Sequence, residues 1–224
     1  TGQNLDDQRS SEALIAEAVE KARLADCVVM FGGLNKSDFQ DCEGHDRKEY
    51  ALPYGQDNVI EALAKVNANM VYVNISGNAV AMPWRDQVAA IVQGWFLGSE
   101  AGEALAAVLT GDATPSGKLP FTWVKSLKQV GAHVLDAYPG VWRKPGGAQT
   151  PDNIIDEDYK EGIYVGYRWT DLKRERPEFA FGHGLSYTTF AISNLRADKA
   201  VMDRNDSIAF TVTVKNTGLR AGAE

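Results

Sequence analysis

The segment Leu34 to Gly55 is dense in titratable side chains: Asp38, Asp41, Glu43, His45, Asp46 and Arg47, with Lys36 and Lys48 beside them. Three chemistries could use such a set. Metal binding needs His and carboxylates converging, and one His among carboxylates in a loop has no recognised ligand spacing. Phosphate binding needs a glycine-rich cradle leading into a helix, and Gly32-Gly33 supplies only two glycines with many acids nearby. General acid catalysis needs a carboxyl that can hold a proton for a leaving group, a state favoured by nearby carboxylates or by exclusion of water. Glu43 is the candidate for that role, while Lys36, Arg47 and Lys48 pull the other way, so the spacing leaves the balance open. A solvated charged loop is the plainer alternative.

The elements around this segment decide where it stands. From Ser11 to Leu24 the apolar residues Leu14, Ile15, Ala18, Val19 and Ala22 recur at helical spacing behind a Ser10 or Ser11 cap. Cys27 to Phe31 is a continuous apolar run closed by Gly32-Gly33, as in a strand buried on both faces, which places Cys27 in the core. A helix over 56–65, a strand over 70–75, a short strand over 89–93 and a helix over 100–110 follow. Alternating helices and buried strands predict an α/β fold with an open, mainly parallel sheet between helices. Ligands in such folds gather beyond the carboxyl ends of the strands, where the 34–55 loop must emerge. At about twenty residues it far exceeds the usual 2 to 6 of a βα connection.

Beyond Pro115 the chain is rich in Gly, Pro and polar residues up to about Asp158, which predicts a long excursion. Ile163 to Trp169 reads as strand. The runs 189–195 and 207–214 alternate with period 2, as half-buried antiparallel strands do, and look like the first strands of a β-sandwich. Trp95, Trp123 and Trp169 are expected in the core. His183 lies between two glycines and is expected at a domain junction with a buried ring hydrogen bond, and His133 is expected at the surface. The turns Gly77-Asn78 and Gly98-Ser99-Glu100 follow strands; they could share the rim of the long loop or serve only as turns and caps.

Composition removes several classes of function. The net charge is −7 and no Lys/Arg cluster could neutralise a run of phosphates, which argues against nucleic acid as a partner. No apolar stretch approaches the roughly 20 residues that cross a bilayer, so no membrane span is expected. Two cysteines, Cys27 and Cys42, make neither a disulfide scaffold nor a CxxC metal pattern. The polar start carries no signal-peptide architecture, and both ends read as cuts.

Within the loop, Cys42-Glu-Gly-His-Asp-Arg47 is followed by Ala51-Leu-Pro53 and Gln56-Asp57. Further along stand Pro115-Ser-Gly-Lys-Leu-Pro-Phe-Thr122, Glu161-Gly-Ile-Tyr-Val-Gly-Tyr-Arg168, Phe181-Gly-His-Gly-Leu-Ser-Tyr-Thr188 and Val214-Lys-Asn-Thr-Gly218. In type and order these motifs resemble glycoside hydrolase family three, which includes β-glucosidases and β-xylosidases. The resemblance implies a three-part enzyme: an N-terminal (β/α)8-type barrel, an α/β sandwich domain and a fibronectin-type-III-like domain. It identifies 1–188 with the sandwich domain carrying the acid/base loop, and 189–224 with an incomplete start of the third part.

The same resemblance makes Glu43 the general acid/base and puts the carboxylate nucleophile on an Asp of the barrel. The implied reaction is exo-acting, retaining hydrolysis of terminal β-linked sugars, with a β-glucoside or oligosaccharide as substrate and the barrel as intramolecular partner. Asp41-Cys42 departs from the Ser-Gly or similar pair of many relatives, which bears on sugar preference. Phe39 could stack on a sugar face or tuck under the loop; Arg47 could orient the loop, face solvent or touch the sugar. Trp142 could anchor its own loop or form a platform for the leaving sugar. No metal or organic cofactor is expected, because carboxyl groups can do both the protonation and the attack. A periplasmic or secreted location and a homodimer fit this reading. The competing reading is a non-catalytic carbohydrate-binding or scaffolding module.

Overall fold

A computed structural model describes residues 9–37, 39–44, 47–144, 146 and 154–224. Helix α1 (Ser11–Arg23) begins where Ser10, in extended backbone, accepts the Ala13 N–H on its Oγ at 3.2 Å. It ends against Asn67, whose side-chain amide donates to the carbonyls of Ala22 (3.0 Å) and Ala25 (2.8 Å). One asparagine therefore serves a carbonyl of the last helical turn and one just past the helix end. Strand β1 (Val28–Gly33), helix α2 (Gln56–Ala64), strand β2 (Met70–Ile75) and strand β3 (Ala90–Gln93) follow. The three strands form a parallel sheet in the order β1-β2-β3, with Val28 opposite Met70, Gly33 opposite Ile75 and Asn74 opposite Gln93. The parallel α/β sheet expected from the alternating pattern is what forms.

The core lies on β2. Ile60, Met70, Tyr72, Val73, Val80 and Trp84 are fully removed from solvent. Tyr72 and Trp84 meet edge to face at 4.6 Å between centroids, a geometry that aligns the ring quadrupoles. The Trp84 indole N–H donates to Asp57 at the start of α2 (2.6 Å), and burial raises the pKa of that carboxyl. A second aromatic layer joins Phe121, Trp123 and Phe179, with the Trp123 N–H donating to the Val80 carbonyl at 2.7 Å. Trp95 meets Phe121 edge-on but is only half-buried.

Strand β1 differs from the expectation of burial on both faces. Only Met30 is buried in it, while Val29 and Phe31 are 43% and 52% exposed. Among the described residues β1 is an edge strand, and an apolar run does not reveal which strand of a sheet is central. Cys27 is exposed and not in the core. It precedes the first paired residue of β1, and its thiol reaches only the Asn69 carbonyl at the rim, at 3.1 Å.

The excursion after Pro115 contains short ordered elements: helix α4 (Gly131–Val134) and strands β4 (Val141–Trp142) and β5 (Ile155–Asp156), which pair antiparallel. Arg143 closes this hairpin with two hydrogen bonds to Asp156, at 3.1 and 2.6 Å. The segment expected as strand over 163–169 instead leads into helix α5 (Tyr167–Lys173). Its alternating aromatics mimic a strand, yet the two consecutive residues Trp169 and Thr170 are both buried, which an alternating strand cannot achieve against one face. Trp169 is core, as expected, and rests against Gly131 of α4.

The chain divides into two compact units, 1–101 with 121–180, and 102–120 with 181–224. The second holds most of helix α3 (Ala101–Thr110) and the antiparallel strands β6 (Phe190–Ala197) and β7 (Phe210–Asn216), which pair from Phe190/Asn216 to Ala197/Phe210 with an irregularity between Ser193 and Arg196. Tyr187 donates to the Val108 carbonyl at 2.8 Å, and Arg220 to that of Gly111 at 3.0 Å. The His183 ring is exposed, contrary to the buried ring expected. Its segment carries backbone bonds, with the Leu119 N–H on the His183 carbonyl and the Gly182 N–H on that of Leu119, both at 2.8 Å. His133 is exposed, as expected.

Candidate active site

The long loop leaves β1 through a backbone position that only glycine fills well. Gly33 has φ 129°, and a Cβ there would lie 2.1 Å from the Ile75 carbonyl oxygen across the sheet. Leu34 N–H then bonds that same carbonyl at 2.8 Å, carrying the ladder one residue beyond the strand. The loop turns on Asn35, whose side chain accepts the Ser37 N–H (2.7 Å) and whose carbonyl accepts the Asp41 N–H (3.1 Å). Gln40, buried beneath the turn, accepts the Asn35 N–H and donates to the Tyr54 hydroxyl at 2.5 Å, linking the outgoing and returning limbs.

Two clasps then tie the loop to the segment that follows β2. On the outgoing limb, the Asp41 carboxylate accepts the Gly77 backbone N–H at 2.5 Å and the Asn78 side-chain amide at 2.8 Å. On the returning limb, Arg47 donates through Nη2 to the Ala79 carbonyl at 2.6 Å, and the Ala81 N–H bonds the Tyr50 carbonyl at 2.9 Å. Tyr50 donates in turn to the Val124 carbonyl at 2.7 Å. Burial works against the charge of Arg47, which the nearby Asp41 carboxylate supports; burial likewise pushes the Tyr50 hydroxyl pKa upward. Arg47 Nη1 is buried without a hydrogen-bond partner among the described residues.

The receiving segment is itself braced by polar groups in the core. Asn74 donates to the Ser76 hydroxyl (2.8 Å) and to Gln93 of β3 (2.7 Å), Gln93 donates to the Ser76 carbonyl (2.9 Å), and the Ser76 hydroxyl donates to the Asn78 carbonyl (2.8 Å). Asn74 and Ser76 are fully buried, so these bonds form in a medium where water competes poorly. The chain of support runs from β2 and β3 through Asn78 to Asp41.

Glu43 stands between the clasps with its side chain exposed, and at the next residue, Gly44, with a φ of 85°, an added Cβ would meet nothing within 4 Å among the described residues. Phe39 takes a left-handed backbone conformation, is 46% exposed and lies under the Lys48 ammonium, 4.3 Å from its ring centre. Glu43, Phe39 and Arg47 all belong to this loop. Trp142 belongs to the separate β4/β5 hairpin, where it pairs with Ile155. Asp38, His45 and Asp46 lie outside the described residues.

The two clasps carry no local sequence signal, because Asp41 and Asn78 are far apart in the chain; only the Gly-Asn turn after a buried strand hinted at the receiving site. Gln56 was legible as a helix residue but not as a bracket on Gly33. A sign was available, since Gly55 at the N-cap has no side chain and leaves a polar first residue free to reach elsewhere.

Chemically, the arrangement engages the Asp41 carboxylate with two donors and leaves the Glu43 side chain exposed, as it does that of Glu49. Among the described residues no group of three or more His, Cys, Asp or Glu converges as a metal ion would require.

Comparison with known proteins identifies the family. Residues 2–167 match the glycosyl hydrolase family 3 C-terminal domain. The chain is 49% identical over 217 residues to β-glucosidase BoGH3A of Bacteroides ovatus, covering 97% of this chain and 28% of that protein. It is 39% identical over 223 residues to thermostable β-glucosidase B of Acetivibrio thermocellus, covering 100% of this chain and 27% of that protein. The crystal structure of DesR, a β-glucosidase from Streptomyces venezuelae in complex with D-glucose, superposes with a TM-score of 0.81 at 39% identity, over 94% of this chain and 25% of that one. The chain therefore spans roughly a quarter of the length of the proteins it matches. With the parallel sheet, the motif-bearing loop and the antiparallel strand pair all in place, the chain belongs to glycoside hydrolase family 3, as a portion of its C-terminal region.

Proposed function

We propose that this chain is the acid/base-bearing part of a retaining β-glucosidase-type enzyme that removes terminal β-linked sugars. The observation that carries the reading is the exposed carboxyl of Glu43 held between two backbone clasps. A retaining glycosidase sets two carboxyl groups about 5 to 5.5 Å apart, one attacking the anomeric carbon and one protonating the departing oxygen. Glu43 takes the second role, and the attacking Asp belongs to a barrel elsewhere in the longer protein. In the first step the Glu43 proton goes to the glycosidic oxygen as the C–O bond breaks and the Asp–sugar ester forms. In the second, the Glu43 carboxylate removes a proton from water, which attacks the ester and frees the sugar.

The test is Glu43→Gln in the full-length protein, read as kcat/KM on an alkyl β-glucoside and on a dinitrophenyl β-glucoside. The alkyl substrate, whose leaving group needs a proton, should slow by about 10²- to 10⁴-fold, the usual range for general acid catalysis. The dinitrophenyl substrate should change far less. Equal losses on both remove Glu43 from the role.

A further inference from the structure

The outgoing clasp has a consequence for the reaction that goes beyond the identity of the acid. Asp41 stands two residues before Glu43, and its two carboxylate oxygens are each spoken for: Oδ2 by the Gly77 N–H at 2.5 Å, Oδ1 by the Asn78 Nδ2 at 2.8 Å. The bonds are charge-assisted, and they run to a turn braced from inside the core by Asn74, Ser76 and Gln93. On the outgoing limb beyond Asn35, these bonds tie the loop to the turn after β2. The fit is close on the far side as well, since a Cβ at Gly77 would come within 2.9 Å of the Asp41 carboxylate and 3.1 Å of the Phe96 ring.

We infer that Asp41 is the positioning residue of the acid/base loop, setting through Gly77 and Asn78 where the Glu43 carboxyl stands. This inference rests on the proposed role of Glu43. Asp41 does not exchange a proton with substrate; it fixes the limb from which the proton donor projects. A catalytic group needs its supporting groups to hold it within about half an ångström of the productive geometry, so loosening this limb reduces proton donation before it affects sugar binding.

The experiment uses the full-length protein and four variants: Glu43→Gln, Asp41→Asn, Asn78→Asp, and the double exchange Asp41→Asn with Asn78→Asp. Asparagine at 41 keeps one acceptor for Gly77 but turns an amide toward the Asn78 amide. The double exchange restores an amide-to-carboxylate bond with its direction reversed. For Asp41→Asn, kcat/KM on the alkyl β-glucoside should fall about tenfold or more and on the dinitrophenyl β-glucoside at most about threefold, with KM little changed. The double exchange should recover most of the alkyl-glucoside loss. Thermal melting of each variant separates a misfolded protein from a mispositioned one, and Asn78→Asp alone should show a selective loss like that of Asp41→Asn.

A loss under twofold in Asp41→Asn, an equal loss on both substrates, or failure of the double exchange to rescue in a protein that melts normally would each overturn the positioning role. The reading of Glu43 stands or falls separately, on whether Glu43→Gln itself discriminates between the two leaving groups.

Discussion

Gln56 holds Gly33 from both sides: its Oε1 accepts the Gly33 N–H and its Nε2 donates to the Gly33 carbonyl, each at 2.8 Å. The same amide also reaches the Pro53 carbonyl at 3.1 Å. The first turn of α2 is thereby fastened to the residue at which the long loop leaves β1, and the loop's two ends meet at one side chain. Gln56→Ala removes all three bonds and leaves part-buried backbone groups unpaired. A net loss of about 2 to 3 kcal/mol is expected, since each orphaned buried group costs roughly 1 to 3 kcal/mol before water or relaxation recovers some of it. Urea denaturation of wild type and variant measures it.

Gly33 itself tolerates no side chain. Its φ of 129° is a conformation L residues rarely adopt, and an added Cβ would meet the Ile75 carbonyl oxygen at 2.1 Å. The neighbour is backbone of the central strand and has nowhere to retreat. Gly33→Ala should lower stability by more than about 3 kcal/mol, among the larger effects of a single substitution. A melting temperature within two degrees of wild type would contradict it.

Asp57 introduces a pH dependence whose sign can be worked out. Burial raises its pKa from the ordinary 3.8, opposed in part by the hydrogen bond from Trp84 and reinforced by the charge of Glu61. The folded state therefore binds this proton more tightly than the unfolded chain does. Its contribution is fully present below the unfolded pKa and is lost as pH rises through the folded value. Asp57→Asn keeps an acceptor for the Trp84 N–H and has no charge to bury. Its stability relative to wild type should therefore increase as pH is raised from about 4 toward neutrality. Denaturation midpoints of the pair across that range check the slope; a difference that shrinks with pH would contradict it.

Gly131 marks the seat of Trp169. A Cβ at 131 would lie 2.8 Å and 2.9 Å from two atoms of the indole, and 3.3 Å from the Glu161 Cβ. Gly131→Ala should cost about 1 to 3 kcal/mol through overpacking against α5. The accompanying Trp169→Phe, which shrinks the ring, should relieve part of that cost. Tryptophan fluorescence during unfolding reports both.

How much of this could be read from residue order depends on the range of the interaction. The helix from Ser11 and the strand Met70–Ile75 were legible because period and capping are local properties, and Ser10 does cap as its type predicts. The apolar run ending at Phe31 was legible as a strand but not as an edge strand, because which strand is central depends on pairing and not on hydrophobicity. Ile163 to Trp169 imitates a strand through its alternating aromatics, whereas Tyr167–Lys173 is helical and packs Trp169 against Gly131, a contact distant in the chain. At the candidate site, the loop stands out from length and content, and Glu43 from its place in the family-like motif. The partners of Asp41, Arg47 and Gln56 did not, since each is a bond to backbone or to a distant turn, and a carbonyl has no residue type to recognise.

Asp41 and Arg47, six residues apart in the chain, are both moored to the segment after β2, with Glu43 between them in sequence. Moorings that close limit how far the Glu43 carboxyl can wander. On the proposed role of Glu43, lengthening the chain between the moorings would dilute the carboxyl at the bond to be broken, a kinetic loss that no melting curve would reveal.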